Sequence, residues 1–277
     1  MINASLTLIY PTLLSALKGS DYTTLPNAEE NSSLIKQDNS LLGELELDVL
    51  HAKLKTISFT LYTRENPTVG DVLVLNDINS VQASQWNPKR KTAIITHGWV
   101  NNGLSPSCTL IRDAIIKVRN WNVIVVNWGT ISANPIYAIV AKNVPHVALY
   151  VASFVNFMRS EAGLRTSKLR IIGHSFGAQV AGLSAQEIGK SSRVAEIVDF
   201  YANDGRHQPG CGIDLLGICS HLRSYDYYSE SITNPKGFLG TSTDGATAYM
   251  GGATLDPKAK GTYFFKTNSQ HPYALNG

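Results

Sequence analysis

Residues 173–177 read Gly-His-Ser-Phe-Gly, between a strand-like run at residues 169–172 and a stretch rich in small residues that begins at Ala178. A serine between two glycines suits a sharp turn from a buried strand into a helix, because the glycines leave room for a tight backbone. The helix that follows would direct its dipole and its free N–H groups at the serine oxygen. The pentapeptide therefore predicts a strand-turn-helix unit with Ser175 as a candidate nucleophile.

The flanking sequence repeats this alternation of strand and helix. Short β-branched runs at residues 92–96 and 123–126 predict further strands covered on both faces, as in a parallel sheet. Residues 109–118 predict a helix between them, and residues 56–63 alternate as an edge strand does. A second helix is expected to bury one apolar face, formed by Val147, Val151, Phe154, Val155 and Met158. The chain is therefore predicted to be an α/β protein with a doubly wound, mostly parallel sheet.

The composition excludes several classes of protein. The chain has 277 residues, 43% of them apolar and 16% charged, which is enough for a sizeable core. Its net charge of +3 comes without a basic run, so a nucleic-acid partner is not expected. No cofactor, metal site or transmembrane segment is predicted, and a monomer is expected.

The N-terminal region is expected to lie apart from the domain. The apolar stretch at residues 6–17 is too short to span a bilayer but suits the apolar region of a signal peptide. The absence of Lys or Arg before it argues against a signal peptide. We interpret residues 1–19 as a signal peptide, with a plain N-terminal segment as the alternative. Residues 20–45 are predicted to be a polar arm, and residues 46–277 a single domain.

A serine nucleophile needs a general base, which in such folds follows it in the chain. His221 is the preferred base, because a local disulfide between Cys211 and the adjacent Cys219 could hold it in place. His207 lies in a polar loop and is expected to be exposed. The third cysteine, Cys108, has no evident partner.

The oxyanion that forms on the substrate needs two backbone N–H donors. Phe176, directly after the nucleophile, and Trp99, after the strand at residues 92–96, are the expected donors. His97 is expected to fix the loop that carries Trp99 by a hydrogen bond. It is not expected to act as a base.

The acid that orients the base should lie between Ser175 and His221, where the chain has Asp199, Asp204 and Asp214. Asp199 follows the predicted strand at residues 194–198, and the carboxyl end of a strand is where such an acid belongs. On spacing alone, Asp199 is the choice.

Several longer motifs occur in a fixed order, and with them the chain resembles the secreted pancreatic-lipase-type family over residues 45–275. The resemblance is strongest to its single-domain insect lipase and phospholipase A1 branch. It implies an α/β-hydrolase fold and a secreted enzyme that cleaves lipid esters, as a phospholipase A1 or a triacylglycerol lipase, at a membrane or micelle surface. The matching motifs are Tyr62-Thr63-Arg64-Glu65-Asn66-Pro67, Thr96-His97-Gly98-Trp99, residues 122–128, residues 173–178, residues 198–203, Gln208-Pro209-Gly210-Cys211, residues 219–225 and residues 261–264.

The resemblance breaks near residues 197–200. The family carries its catalytic acid in a Gly-Leu-Asp-Pro-Ala stretch that this chain lacks, and only 46 positions separate Ser175 from His221. About 40–50 residues, including one strand of the sheet, are therefore expected to be missing. By its local motif Asp199 would be a structural residue, so its role stays open. Asn127 stands where the family has Asp, and we expect this swap to be structural.

The short loop between Cys211 and Cys219 is similar to the lid of the family. Its seven inner residues resemble the short lid of the phospholipase A1 members. Its apolar side chains could contact lipid or pack locally; they are Ile213, Leu215, Leu216 and Ile218. The alternative to an enzyme is a catalytically inactive, lipase-like protein that binds or stores lipid.

Overall fold

The computed structural model describes residues 3–6, 44–189, 198–205, 207–251, 256 and 258–275, and of residues 3–6, 44–47, 198 and 199 it describes the backbone only. The strands in these ranges are β1 (Asn3–Leu6), β2 (Ser58–Tyr62), β3 (Asp71–Leu73), β4 (Thr92–Thr96), β5 (Asn122–Asn127), β6 (Leu169–Gly173), β7 (Val198–Ala202), β8 (Leu239–Thr241), β9 (Thr247–Tyr249) and β10 (Gly261–Phe265). The α-helices are α1 (Glu44–Leu54), α2 (Ile78–Gln82), α3 (Pro106–Val118), α4 (Gly129–Ser132), α5 (Tyr137–Glu161), α6 (Phe176–Gly189) and α7 (Ile218–Thr233).

The central sheet has the strand order β1-β6-β4-β5-β2-β3. Strands β1, β6, β4 and β5 run parallel, whereas β2 is antiparallel to both β5 and β3. Every residue of β4 and β6 is buried, as their apolar runs predicted. Helices α5 and α6 contribute to the core on one face, and α3 and α7 to the core on the other. The predicted doubly wound, mostly parallel sheet is confirmed.

Helix α5 is long and apolar enough to cross a membrane, judged by length and composition alone. In this structure, however, it packs in the core with β2, β4, β5 and α6. The predicted stripe lies on its buried face, which confirms that this face serves core packing. Its members are Val147, Val151, Phe154, Val155 and Met158. Helix α5 is thus a core helix of the folded domain.

Strand β1 lies at the edge of the sheet beside β6. Asn3 pairs with Arg170 and Leu6 with Gly173, in parallel register. The sequence predicted that the sheet lacks one strand and that residues 1–19 are a signal peptide, and both stay predictions. In this structure, part of the N-terminal stretch pairs with the edge of the sheet, where unpaired backbone groups would otherwise be open to another strand. The remainder of the predicted signal peptide and polar arm, up to residue 43, lies outside the described residues.

The C-terminal part forms a second sheet, in the order β7-β10-β8-β9. Strand β7 runs parallel to β10, with Asp199 opposite Thr262. A separate core belongs to this sheet and includes Phe200, Ala202, Tyr227, Phe238, Tyr263 and Phe265. The expected strand at residues 194–198 falls almost entirely outside the described residues. The expectation that Asp199 lies at the carboxyl end of a strand is wrong, since Asp199 lies within β7, which continues beyond it to Ala202.

Candidate active site

Ser175 lies on the sharp turn between β6 and α6, with a φ of 58°. A non-glycine residue in this left-handed region is strained by about 1–3 kcal/mol, and the surrounding structure must hold it there. The neighbouring glycines make this possible. A Cβ on Gly173 would lie 2.0 Å from the carbonyl oxygen of Gly177, and a Cβ on Gly177 would lie 2.3 Å from that of Thr96. The strained turn that the pentapeptide predicts is therefore present.

The loop after β4 lies directly against this turn. A Cβ on Gly98 would come within 2.5 Å of the Ser175 Cβ and 3.0 Å of its Oγ, so only glycine fits there. The backbone N–H of His174 donates to the carbonyl oxygen of Thr96 at 3.2 Å, which ties the two segments together. Trp99 and Phe176, the predicted oxyanion donors, are the next residues on the two segments that meet at Ser175.

An aromatic side chain that the sequence did not indicate joins these two residues. The ring centroid of Tyr137, at the start of α5, lies 5.3 Å from that of Trp99 and 4.6 Å from that of Phe176. Burial raises the pKa of Tyr137. The indole N–H of Trp99 donates to the carbonyl oxygen of Asn134 at 2.8 Å. A contact between residues so distant in the chain has no local signal that could have revealed it.

His97 fixes the loop, as expected. The backbone N–H of Trp128 donates to His97 Nε2 at 3.1 Å, and the indole N–H of Trp128 donates to the carbonyl oxygen of His97 at 3.0 Å. Since Nε2 accepts, the ring proton is on Nδ1, which lies 3.0 Å from the carbonyl oxygen of Gly98. Burial lowers the pKa of His97 to about 4, so the ring is neutral at pH 7.

The structure brings the predicted base to the predicted nucleophile turn. His221 lies in the first turn of α7, where its backbone N–H donates to the carbonyl oxygen of Gly217 at 2.8 Å. Its ring centroid is 4.5 Å from that of His174, the residue before Ser175. His174 Nε2 also lies 3.3 Å from the carbonyl oxygen of His221. His207, in contrast, is exposed, as expected.

The start of α7 is held by two local features. Cys211 and Cys219 form a disulfide with a Cα–Cα distance of 5.7 Å, which confirms the predicted pairing. The carboxylate of Asp214 accepts hydrogen bonds from the backbone N–H groups of Cys219 and Ser220, at 3.1 and 2.8 Å. Hydrogen bonding by Ser220 is the main cause that lowers the pKa of Asp214. Asp214 therefore stabilises the N-terminus of the helix that carries His221, by accepting bonds from its first N–H groups.

The other two aspartates have different surroundings. Asp204 is exposed and forms an ion pair of 2.5 Å with Lys266. The backbone of Asp199 belongs to β7, but its side chain lies outside the part of the chain that the structure describes. The role of Asp199 as the triad acid stays a prediction.

Asn127 and Cys108 have structural surroundings. Asn127 Oδ1 accepts hydrogen bonds from the backbone N–H groups of Gly103 and Gly129, at 3.2 and 3.1 Å, and so joins two loops. This confirms the expected structural role of Asn127. Cys108 is a free thiol buried in α3, and burial raises its pKa to about 12, which makes it unreactive.

Two groups of apolar side chains near the site residues in the chain are exposed. In the cystine loop, Ile213 is 89%, Leu215 90%, Leu216 73% and Ile218 55% exposed, so local packing does not account for them. A second exposed group flanks Trp99 and Tyr137 in the chain and consists of Val100, Leu104, Ile136 and Ile139. Exposed apolar groups of this kind are typical of surfaces that contact lipid or another protein.

Comparisons with known proteins identify the family of the chain. The lipase family model matches residues 36–195 and 183–273. Human inactive pancreatic lipase-related protein 1 is 30% identical over 244 residues, covering 65% of this chain and 52% of its own length. Bovine pancreatic lipase-related protein 2 and human pancreatic triacylglycerol lipase are each 30% identical over 247 residues, covering 66% of this chain and 52% and 53% of their own lengths. The chain spans about half the length of these relatives. With its motif order, its sheet and its strained serine turn, the chain belongs to the lipase family, of the pancreatic-lipase type, and has the α/β-hydrolase fold.

Proposed function

We propose that this protein is a serine hydrolase that cleaves carboxylic esters of lipids, with Ser175 as nucleophile and His221 as general base. One observation carries the proposal: Ser175 is held at a φ of 58° while the ring of His221 lies 4.5 Å from that of the preceding residue. A strained serine at the end of a buried strand, next to an imidazole on a later helix, suits nucleophilic catalysis.

The reaction would follow the usual course of acyl transfer. Ser175 Oγ attacks the ester carbonyl carbon, and His221 accepts the hydroxyl proton. The backbone N–H groups of Trp99 and Phe176 stabilise the negative oxygen of the tetrahedral intermediate. When this intermediate collapses, the ester C–O bond breaks and His221 donates the proton to the leaving alcohol. A water molecule, deprotonated by His221, then hydrolyses the acyl-enzyme and releases the fatty acid.

The cystine loop favours the phospholipase A1 type over the triacylglycerol lipase type. The loop is short, and its apolar side chains Leu215 and Leu216 are directed away from the core, since both are largely exposed. A loop of this length would leave the serine accessible to a phospholipid headgroup, and its leucines would contact the membrane or micelle. The disulfide supports a secreted protein, because such bonds persist in oxidising compartments.

We also propose that the chain lacks the stretch in which the family carries its catalytic acid. The family model matches in two segments. The alignment with the human inactive relative is 244 positions long, but only 65% of the 277 residues of this chain take part in it. The alignment therefore contains long gaps in the sequence of this chain. In that case, either Asp199 takes the place of the catalytic acid, or His221 has no carboxylate partner. Without a carboxylate partner, kcat falls by about 10⁴ in the serine-protease template.

The second candidate function, an inactive lipid-binding protein, rests on the same missing stretch. Inactive members exist among the relatives, as the name of the human pancreatic lipase-related protein 1 states. The exposed apolar side chains of the cystine loop would then bind lipid without hydrolysing it.

Labelling with a fluorophosphonate probe tests the proposal. The folded wild-type protein should react, and Ser175→Ala should not, because the probe needs an activated serine hydroxyl. Hydrolysis of matched fluorescent phospholipid and triacylglycerol substrates then distinguishes the two lipase types. A folded wild-type protein that neither reacts with the probe nor hydrolyses either substrate would favour the binding protein. Unchanged labelling of Asp199→Asn would exclude Asp199 from the mechanism.

A further inference from the structure

His174 is a buried histidine that the proposed mechanism does not use. It lies between the end of β6 and Ser175, and its backbone N–H bonds to Thr96 in the neighbouring strand. Its side chain turns away from the sheet core toward α7. There it contacts the ring of His221 at 4.5 Å and the edge of the Tyr225 ring at 5.2 Å between centroids.

Among the described residues, the ring of His174 has one hydrogen-bonding contact, which leads to the backbone of His221. Nε2 of His174 lies 3.3 Å from the His221 carbonyl oxygen. Its other nitrogen, Nδ1, is buried and has no hydrogen-bond partner within the part of the chain that the structure describes. Because a carbonyl oxygen only accepts, the proton must be on Nε2.

The bond reaches α7 where the helix begins. The same carbonyl oxygen of His221 accepts a hydrogen bond from Ser224 Oγ at 2.7 Å, and the His221 N–H bonds to Gly217. The backbone of His221 is thus fixed from three sides, and His174 is the contributor that belongs to the serine turn. Any displacement of the serine turn would be transmitted to the base through this bond.

His174 is also neutral at pH 7. Burial, followed by the proximity of His221, lowers the pKa of His174 to about 3. A neutral ring at 4.5 Å does not repel the positive charge that His221 gains when it accepts the serine proton. A cationic side chain at the same place would disfavour that charge.

We propose that His174 is a positioning residue, which through its Nε2–H bond and its neutral ring sets the place of the His221 imidazole relative to Ser175. This inference rests on the proposed Ser175–His221 mechanism, but the contact itself does not require activity.

The test compares two substitutions that separate the hydrogen bond from the ring. His174→Gln retains an amide N–H donor where Nε2 stands, and His174→Phe retains a ring without a donor. With a water-soluble ester, kcat of His174→Phe should fall about fivefold to tenfold at an unchanged KM, the loss expected for one hydrogen bond. His174→Gln should stay within about threefold of wild type. Equal losses in both variants, or none in His174→Phe, in folded proteins would overturn the inference.

Nuclear magnetic resonance of the histidine side chains gives a readout that does not depend on activity. Wild type and Ser175→Ala should both show His174 as the neutral Nε2–H tautomer. The imidazole signals of His221 should shift in His174→Phe and much less in His174→Gln. If these signals behave so while wild type hydrolyses no ester, the positioning role stands and the proposed function fails. An Nδ1–H tautomer of His174, or unchanged His221 signals in His174→Phe, would overturn the positioning role.

Discussion

Two regions meet at the candidate site, and they are built differently. The serine turn is buried except at Ser175, which is half-buried, and neighbouring backbone atoms lie so close to Gly173 and Gly177 that no side chain fits there. The cystine loop is exposed, and the helix start that it leads into is held by one disulfide, by Asp214 and by the contact with His174. The position of the nucleophile is therefore fixed by the sheet, whereas the position of the base depends on a few local bonds.

The largest expected effect separates Gly98, which packs against the serine turn, from Gly212, a glycine of the cystine loop. Gly98→Ala would place a Cβ 2.5 Å from that of Ser175, so we expect at least a hundredfold loss of probe labelling and a marked loss of stability. Gly212→Ala is the control, since it has a positive φ but open space around it. It should be less stable by about 1–2 kcal/mol and should label normally. Similar labelling rates for the two variants would contradict the claim that close packing around Ser175 fixes the nucleophile.

The second effect concerns the disulfide. Replacing Cys211 and Cys219 by serine removes a short closed loop, and the expected loss of stability is about 2–3 kcal/mol. Because the start of α7 is then less fixed, the rate of labelling should fall while the serine turn keeps its structure. Chemical denaturation measures the loss of stability, and labelling kinetics measure the change in the rate of reaction with the probe. Cys108→Ala, which removes a thiol but no cross-link, should label like wild type.

The serine turn and the loop after β4 that packs against it should also be the acid-sensitive region. An unfolded chain protonates its histidines near pH 6.5, whereas burial lowers the pKa of His97 to about 4 and that of His174 to about 3. The unfolded state therefore binds more protons below pH 6.5, and stability falls as the pH decreases. We expect each histidine to reduce the free energy of unfolding by about 2 kcal/mol between pH 7.5 and 5. Chemical denaturation at pH 7.5 and at pH 5 measures this loss. His174→Gln should remove about half of the difference in the free energy of unfolding between the two pH values.

The smallest effect on stability belongs to the exposed leucines. The double substitution Leu215→Ser with Leu216→Ser should change the free energy of unfolding by less than about 0.5 kcal/mol, since both side chains are exposed. Binding to phospholipid vesicles should fall about tenfold, because apolar area no longer enters the lipid. Activity on a soluble ester should not change. The control is Val69→Ser, an exposed residue before β3 at the far edge of the sheet.

The difference between the two regions also explains what the sequence could predict. The serine turn was predictable, because the steric need for glycine around Ser175 is visible in five residues. The disulfide was predictable from its short spacing. The exposure of Leu215 was not, since an apolar residue in a loop can pack locally or face solvent. Tyr137 escaped prediction because its contacts with Trp99 and Phe176 join segments distant in the chain.

The second sheet and the edge strand show a further limit. The apolar run predicted a strand over residues 194–198, whereas the described strand β7 covers Val198–Ala202. Strand β1 lies within the predicted signal peptide, and composition alone does not distinguish a segment that is removed from one that pairs with a sheet.

The pairing of β1 with β6 has a consequence for how the protein would be prepared. If residues 1–19 are cleaved as a leader, β6 keeps β4 but loses its other neighbour, β1, which pairs with Arg170 to Gly173. Full-length and shortened preparations would then be two different proteins in solution. The shortened one would be prone to self-association through that open edge.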